Sequence, residues 1–172
     1  VADGVVTAVK AGSATITAAC GTAQAECAVT VKAPVEPAQE NGVYQIGTAA
    51  ELVWFAKQVN GGSTAISGVL TANIDLSGIN WTPIGSSAKQ FAGSFNGAGH
   101  TVQNLTIAYE TAKAGEWVYQ GLFGWVEGTK DKHAAVKDLT VAGSVTVSSA
   151  FSVYTGNVAG VVAYGKYTDI SN

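Results

Sequence analysis

Few residues in this chain have types and spacings that could do chemistry. Beyond the single helix, and with the positions read below as bends set aside, the acids are Asp75, Glu110, Glu116, Glu127 and Asp131. A glycosidase needs two carboxyl groups about 5–10 Å apart in a groove. Glu110 and Glu116 share one inserted stretch, but nothing in the sequence forces them together, so no catalytic pair is assigned. His100 lies in a Gly-rich turn and His133 in the charged loop Lys130-Asp131-Lys132-His133, neither within a Ser or Cys nucleophile motif. Cys20 and Cys27 lack further Cys or His at zinc spacing, so neither a metal nor a cofactor is expected. The run Gly93–Gly99 is no phosphate loop, because no Lys-Ser/Thr follows it and no helix opens there. Asn80-Trp81-Thr82 and Asn104-Leu105-Thr106 fit the glycosylation pattern, although Asn104 is better explained as a bend. What remains is recognition by aromatics. Tyr109, Trp117, Tyr119 and Tyr154 fall in two insertions and offer large amphipathic contact area. Either they bind a ligand or they cover the outside of the strands. Phe123 and Trp125 are assigned to the core, and Trp54 and Trp81 to the helix and its junction with the first strands.

The surroundings of these residues exclude some partners. Of 172 residues, 47% are hydrophobic and 12% charged, with a net charge of −3, so the chain is globular and not disordered. All nine basic residues are Lys. Without the bidentate Arg fork, and with a pI near 5.2, binding to nucleic-acid phosphates is not expected. No apolar run approaches the ~18 residues of a membrane span, so no membrane insertion is expected. The chain starts at Val1 within a strand-like pattern, and therefore reads as a piece of a longer protein.

Residues 1–33 alternate as short antiparallel strands punctuated by Gly4, Gly12 and Gly21. A turn centred on Ala23-Gln24 would set Cys20 opposite Cys27, Ala18 opposite Val29 and Ile16 opposite Val31. Directly opposed strand residues are close enough for a disulfide, so a Cys20–Cys27 bridge is expected. The alternative is two reduced, buried thiols. Residues 34–42 carry two of the three prolines and read as a linker. Thr48-Ala49-Ala50-Glu51 is a capping box that opens a helix through about Val59. Leu52, Val53, Phe55, Ala56 and Val59 give that helix an apolar face, and Asn60-Gly61-Gly62 stops it. Beyond it, an Asn or Asp followed by an apolar residue recurs at Asn73, Asn104, Asp138 and Asp169, at intervals of 31, 34 and 31 residues. Such a period points to stacked coils. The four would then be bend residues in one ladder, with Ile74, Leu105, Leu139 and Ile170 turned into a shared core.

Two resemblances extend this reading. DGVVTAVKAGSATIT followed by AECAVTV resembles the C-terminal half of a group 2 bacterial immunoglobulin-like domain. Its truncation implies an exposed sheet edge open to self-association. The stretch VYQIGTAAELVWFAKQVNGG, with LTANIDLSGINWTPIG, FAGSFNGAGHTVQNLTI and GLFGWVEG, resembles the Glug-motif modules of bacterial surface proteins. That resemblance implies a right-handed parallel β-helix on a secreted or wall-attached protein of a Gram-positive or gut bacterium.

The expected fold is therefore all-β. Residues 1–33 would form a partial Ig-like β-sandwich and residues 34–42 a linker, with residues 43–172 forming a parallel β-helix solenoid behind one N-terminal capping helix. The expected function is a non-catalytic one in adhesion or ligand recognition at the cell surface, with a host or neighbouring-cell glycan or protein as partner. The alternatives are an accessory segment of a carbohydrate-active enzyme whose catalytic residues lie outside this chain, and a structural stalk.

Overall fold

The structure is a computed structural model that describes residues 10, 12–21, 23–31, 33–109, 118–147 and 156–172. Its strands are β1 (Gly12–Cys20), β2 (Ala23–Val31), β3 (Gln39–Glu40), β4 (Val43–Ile46), β5 (Ser67–Leu70), β6 (Ile74–Asp75), β7 (Ser94–Asn96) and β8 (Thr101–Tyr109). They continue as β9 (Val118–Gln120), β10 (Phe123–Glu127), β11 (Ala134–Lys137), β12 (Thr140–Val147), β13 (Gly156–Val158), β14 (Val162–Lys166) and β15 (Thr168–Ser171). Helix α1 (Ala49–Gly61) lies between β4 and β5.

The helix forms for local reasons. The Thr48 side chain accepts the Glu51 amide, and the Glu51 carboxylate accepts the Thr48 amide at 2.9 Å, which closes the capping box. Gly62 ends the helix at φ 118, a left-handed conformation that suits glycine. Leu52, Phe55, Ala56 and Val59 are buried on one face. A Cβ on Gly68 of β5 would sit 3.0 Å from the Phe55 ring, so the missing side chain lets the helix approach the sheet.

The sheets correct the expected architecture. The fold is mostly β with one helix, but the strands are short, their pairing is mixed, and they do not form a solenoid. Five separate sheets are present among the described residues. The largest runs β15-β11-β7-β5-β4-β3, parallel throughout except for the antiparallel pair β3–β4. A three-stranded parallel sheet runs β12-β8-β6, and β10–β14 and β9–β13 are two-stranded parallel sheets. No partial Ig-like sandwich is described, because β1 and β2 form a two-stranded antiparallel hairpin.

The expected repeat was built on positions that are not equivalent. Asn73 precedes β6, and its Oδ1 accepts the Thr101 amide at 2.9 Å. Asn104 lies inside β8 with φ 57, at a bulge where the register between β8 and β12 shifts. Asp138 takes φ 51 in the bend after β11, level with Gly97–Gly99. Asp169 lies within β15 opposite Ala135. Left-handed backbone thus occurs at Asn104 and Asp138, and in the last stretch at Tyr167, φ 49. The four do not stack in one ladder. Ile74, Leu105 and Leu139 are buried, whereas Ile170 is 58% exposed on the outermost strand of its sheet.

The hairpin register is corrected too. Cys20 pairs with Ala23 across a two-residue turn at Gly21, φ 60, and Cys27 pairs with Ile16. Cys27 is therefore four residues along the ladder from Cys20, about 13 Å at strand rise and beyond disulfide reach. Cys27 is a free, exposed cysteine.

The core centres on four phenylalanines, all fully buried. Phe55 from the helix meets Phe91 and Phe95 at ring-centroid distances of 6.0 and 5.7 Å, and Phe123 closes the group at 5.4 and 5.2 Å from the same two rings. Trp81 is buried as well, and its indole N–H donates to the Leu122 carbonyl at 3.0 Å.

Candidate functional site

Strand β10 is the element that builds the site. On one side the segment 84–91 holds it. The Ile84 amide donates to Leu122, the Gly124 amide to Ile84, the Phe91 amide to Trp125 and the Glu127 amide to Phe91, all at 2.8–3.0 Å. On the other side β14 pairs with it in parallel, placing Trp125 opposite Tyr164 and Glu127 opposite Lys166. Residues two apart on a strand share a face, and opposed residues on neighbouring strands are about 4.8 Å apart. The pairing therefore sets two aromatics and an acid–base pair side by side on one face.

The side chains use this proximity. Trp125 and Tyr164 have ring centroids 4.4 Å apart, inclined at 50°. Tyr119 reaches over from β9, 4.7 Å from Trp125 at 61° and 5.7 Å from Tyr164 at 70°. These tilted arrangements are the ones aromatic quadrupoles favour. All three residues are half-buried.

A polar border adjoins the rings. The Trp125 indole donates to Glu127 Oε2 at 2.9 Å, and the Lys166 ammonium donates to Glu127 Oε1 at 2.8 Å. These two bonds, Lys166 first, hold the Glu127 carboxyl below its usual range, and Glu127 raises the Lys166 ammonium above its own. Burial, and then Tyr164, push the Tyr119 phenol up. Lys166 Nζ also stands 5.4 Å from the Tyr167 ring centroid, a cation–π distance. Tyr167 is followed by His133, 6.2 Å away between rings, and His133 Nδ1 lies 2.9 Å from Asp169 Oδ1.

The expected site residues fare unevenly. Of Tyr109, Trp117, Tyr119 and Tyr154, only Tyr119 has a described side chain, and it belongs to the cluster. The backbone of Tyr109 ends β8, while Trp117 and Tyr154, like Glu110 and Glu116, lie outside the described residues. Trp125, assigned to the core from sequence, instead faces the cluster. Tyr164 and Lys166 were missed altogether, and Glu127 was named only among the candidate acids. The signal was present in the match between Gly121-Leu122-Phe123-Gly124 and Gly160-Val161-Val162. Carried three residues further, it aligns Trp125 with Tyr164 and Glu127 with Lys166.

Asp75, like Glu127, accepts hydrogen bonds that favour its ionised form. Asp75 Oδ1 accepts from the Ser77 amide, the Ser77 hydroxyl and Asn104 Nδ2 at 2.7–2.9 Å. Those bonds, with Asn104 foremost, lower its carboxyl. A general acid at neutral pH needs a raised carboxyl instead. His100 closes its turn through its backbone, donating to Gly97 and accepting from Thr140. No cluster of three or more His, Cys, Asp or Glu that could hold a metal occurs among the described residues. Nor is any helix among them long and apolar enough to cross a membrane.

A separate cavity of about 310 Å3 lies between α1 and residues 79–82, walled by Val53, Ala56, Ile79 and Trp81. Its Asn60 is engaged with Pro83 and Gly85, and its Trp81 indole with Leu122. Comparison with protein-family models, with curated proteins and with solved structures returned no match.

Proposed function

We propose that this chain is a recognition module of a bacterial extracellular protein, secreted or attached to the cell wall, that holds a glycan or a host protein without transforming it. The observation that carries this reading is the cluster of Tyr119, Trp125 and Tyr164 bordered by the Glu127–Lys166 ion pair. Half-exposed aromatics with a polar edge are the usual anchors of binding surfaces. The resemblance of residues 43–172 to Glug-motif surface proteins agrees with an extracellular role. The test applies the full chain to a glycan array and to a panel of purified host extracellular-matrix proteins. Binding on either panel that is lost in a Trp125→Ala/Tyr164→Ala double variant is expected. Absence of binding on both panels overturns the reading.

A further inference from the structure

We infer that the ligand of the Tyr119–Trp125–Tyr164 cluster is an uncharged pyranose glycan, with the C–H face of a sugar ring against the aromatics and its hydroxyls on Glu127 and Lys166. The inference rests on the recognition role proposed above and adds the ligand's chemistry.

Charge is the first argument. Among the described residues, the charged groups bordering the rings, Glu127 and Lys166, already neutralise each other at 2.8 Å. An anionic sugar on a remaining Lys166 donor would set its own charge beside the Glu127 carboxylate. The chain has no Arg to offer a bidentate grip instead.

Hydrogen-bonding capacity is the second. Of the three ammonium donors of Lys166, one is used on Glu127, and each Glu127 oxygen keeps a lone pair beyond its bond to Lys166 or Trp125. Donors and acceptors therefore alternate along one edge of an apolar surface. A sugar diol, whose hydroxyls both donate and accept, complements that edge.

Size and order are the third. The three centroids lie within 5.7 Å of one another, the scale of a single sugar ring. The Trp125 ring is fixed by its bond to Glu127 and by both tyrosines, so little freedom is lost on binding. A protein partner would need roughly 800 Å2 of complementary surface on this side alone, and the cluster supplies only a small part of that.

The experiment is affinity electrophoresis of the full chain in native gels containing a neutral β-glucan, a mannan, a galactan or, separately, polygalacturonate, with the host-protein panel run in parallel. Retardation by at least one neutral polysaccharide is expected, its affinity changing less than about twofold between ~0.05 and ~0.5 M salt. Trp125→Ala and Tyr164→Ala should each weaken it about tenfold or more, and Tyr164→Phe, which keeps the ring, much less. Lys166→Gln, a change at an exposed side chain, should weaken it several-fold with only a small fall in melting temperature, which keeps the test valid if an alanine variant fails to fold. Retardation by polygalacturonate alone, or capture of a host protein alone, overturns the neutral-glycan assignment and leaves the recognition role standing. Neutral-glycan binding that none of these variants weakens overturns the assignment to this cluster. No binding to any polysaccharide or protein overturns both.

Discussion

Trp125 and Glu127 are joined within a single strand, the indole N–H donating to the carboxylate two residues on at 2.9 Å. Because β14 brings Lys166 to the other carboxylate oxygen, Glu127 couples the aromatic cluster to the ion pair. Orientation of the rings and ionisation of the acid are thus parts of one arrangement.

That arrangement predicts a two-sided pH dependence. The folded Glu127 carboxyl is lowered, by Lys166 first and Trp125 second. Its contribution to stability is therefore complete above the unfolded value, about 4.3, and is lost as pH falls through the lower folded value. The folded Lys166 ammonium is raised, chiefly by Glu127. Its contribution is complete below the unfolded value, about 10.4, and is lost as pH rises through the higher folded value. Comparing urea midpoints of the wild type and Glu127→Gln should give a difference that is constant between roughly pH 5.5 and 9.5 and shrinks on both sides. Parallel curves from acid to alkali would remove Glu127 from this role.

What the sequence made legible was local. The capping box at Thr48 and Glu51, the helical face of Leu52, Phe55, Ala56 and Val59, and the stop at Gly62 all lie within one short stretch, where chain geometry alone relates the residues. Strand partners are distant, and the Asn/Asp-apolar signal proved a poor guide to them. It marked a side chain that bridges to Thr101, a bulge at Asn104, a bend at Asp138 and a mid-strand position at Asp169. Trp125 was misplaced for the same reason. Whether a strand aromatic faces core or solvent depends on register, and a shift of one residue exchanges the faces.

The hairpin register makes Cys27 a test of a different kind. With Cys27 opposite Ile16 and its thiol exposed and free, unreduced protein treated with iodoacetamide should be carbamidomethylated at Cys27, detectable by peptide mass. Failure to label without prior reduction would restore the register that opposes the two cysteines.

Two glycines should separate close backbone approach from simple flexibility. A Cβ on Gly93 would fall 1.9 Å from the Ile66 carbonyl oxygen and 2.8 Å from its carbon. Both are backbone atoms that cannot swing aside, so Gly93→Ala should cost about 3 kcal/mol or more. Gly61, in the last turn of α1, has open space around it and no left-handed φ. Gly61→Ala should be neutral or stabilising by up to about 1 kcal/mol, since alanine is the better helix former. Urea denaturation of both variants measures the contrast, and equal losses would remove the steric account.

Asn60 links the helix to the site from a distance. Its Nδ2 donates to the Pro83 carbonyl at 3.0 Å, and its Oδ1 accepts the Gly85 amide at 2.9 Å. The chain held this way is the start of segment 84–91, which forms the edge of β10 opposite β14. Gly85 packs so closely there that a Cβ would lie 2.2 Å from the Trp125 carbonyl oxygen. Asn60→Ala leaves the Pro83 carbonyl and the Gly85 amide without this partner, at a cost of about 1–3 kcal/mol. The loss should not spread evenly. Amide exchange should accelerate first at Gly85, Gly124 and Glu127, whose bonds depend on that edge, while the Leu52 and Val59 amides of the helix stay protected. Uniform acceleration across helix and strand would mean that Asn60 supports global stability alone and has no particular hold on the strand that presents Trp125.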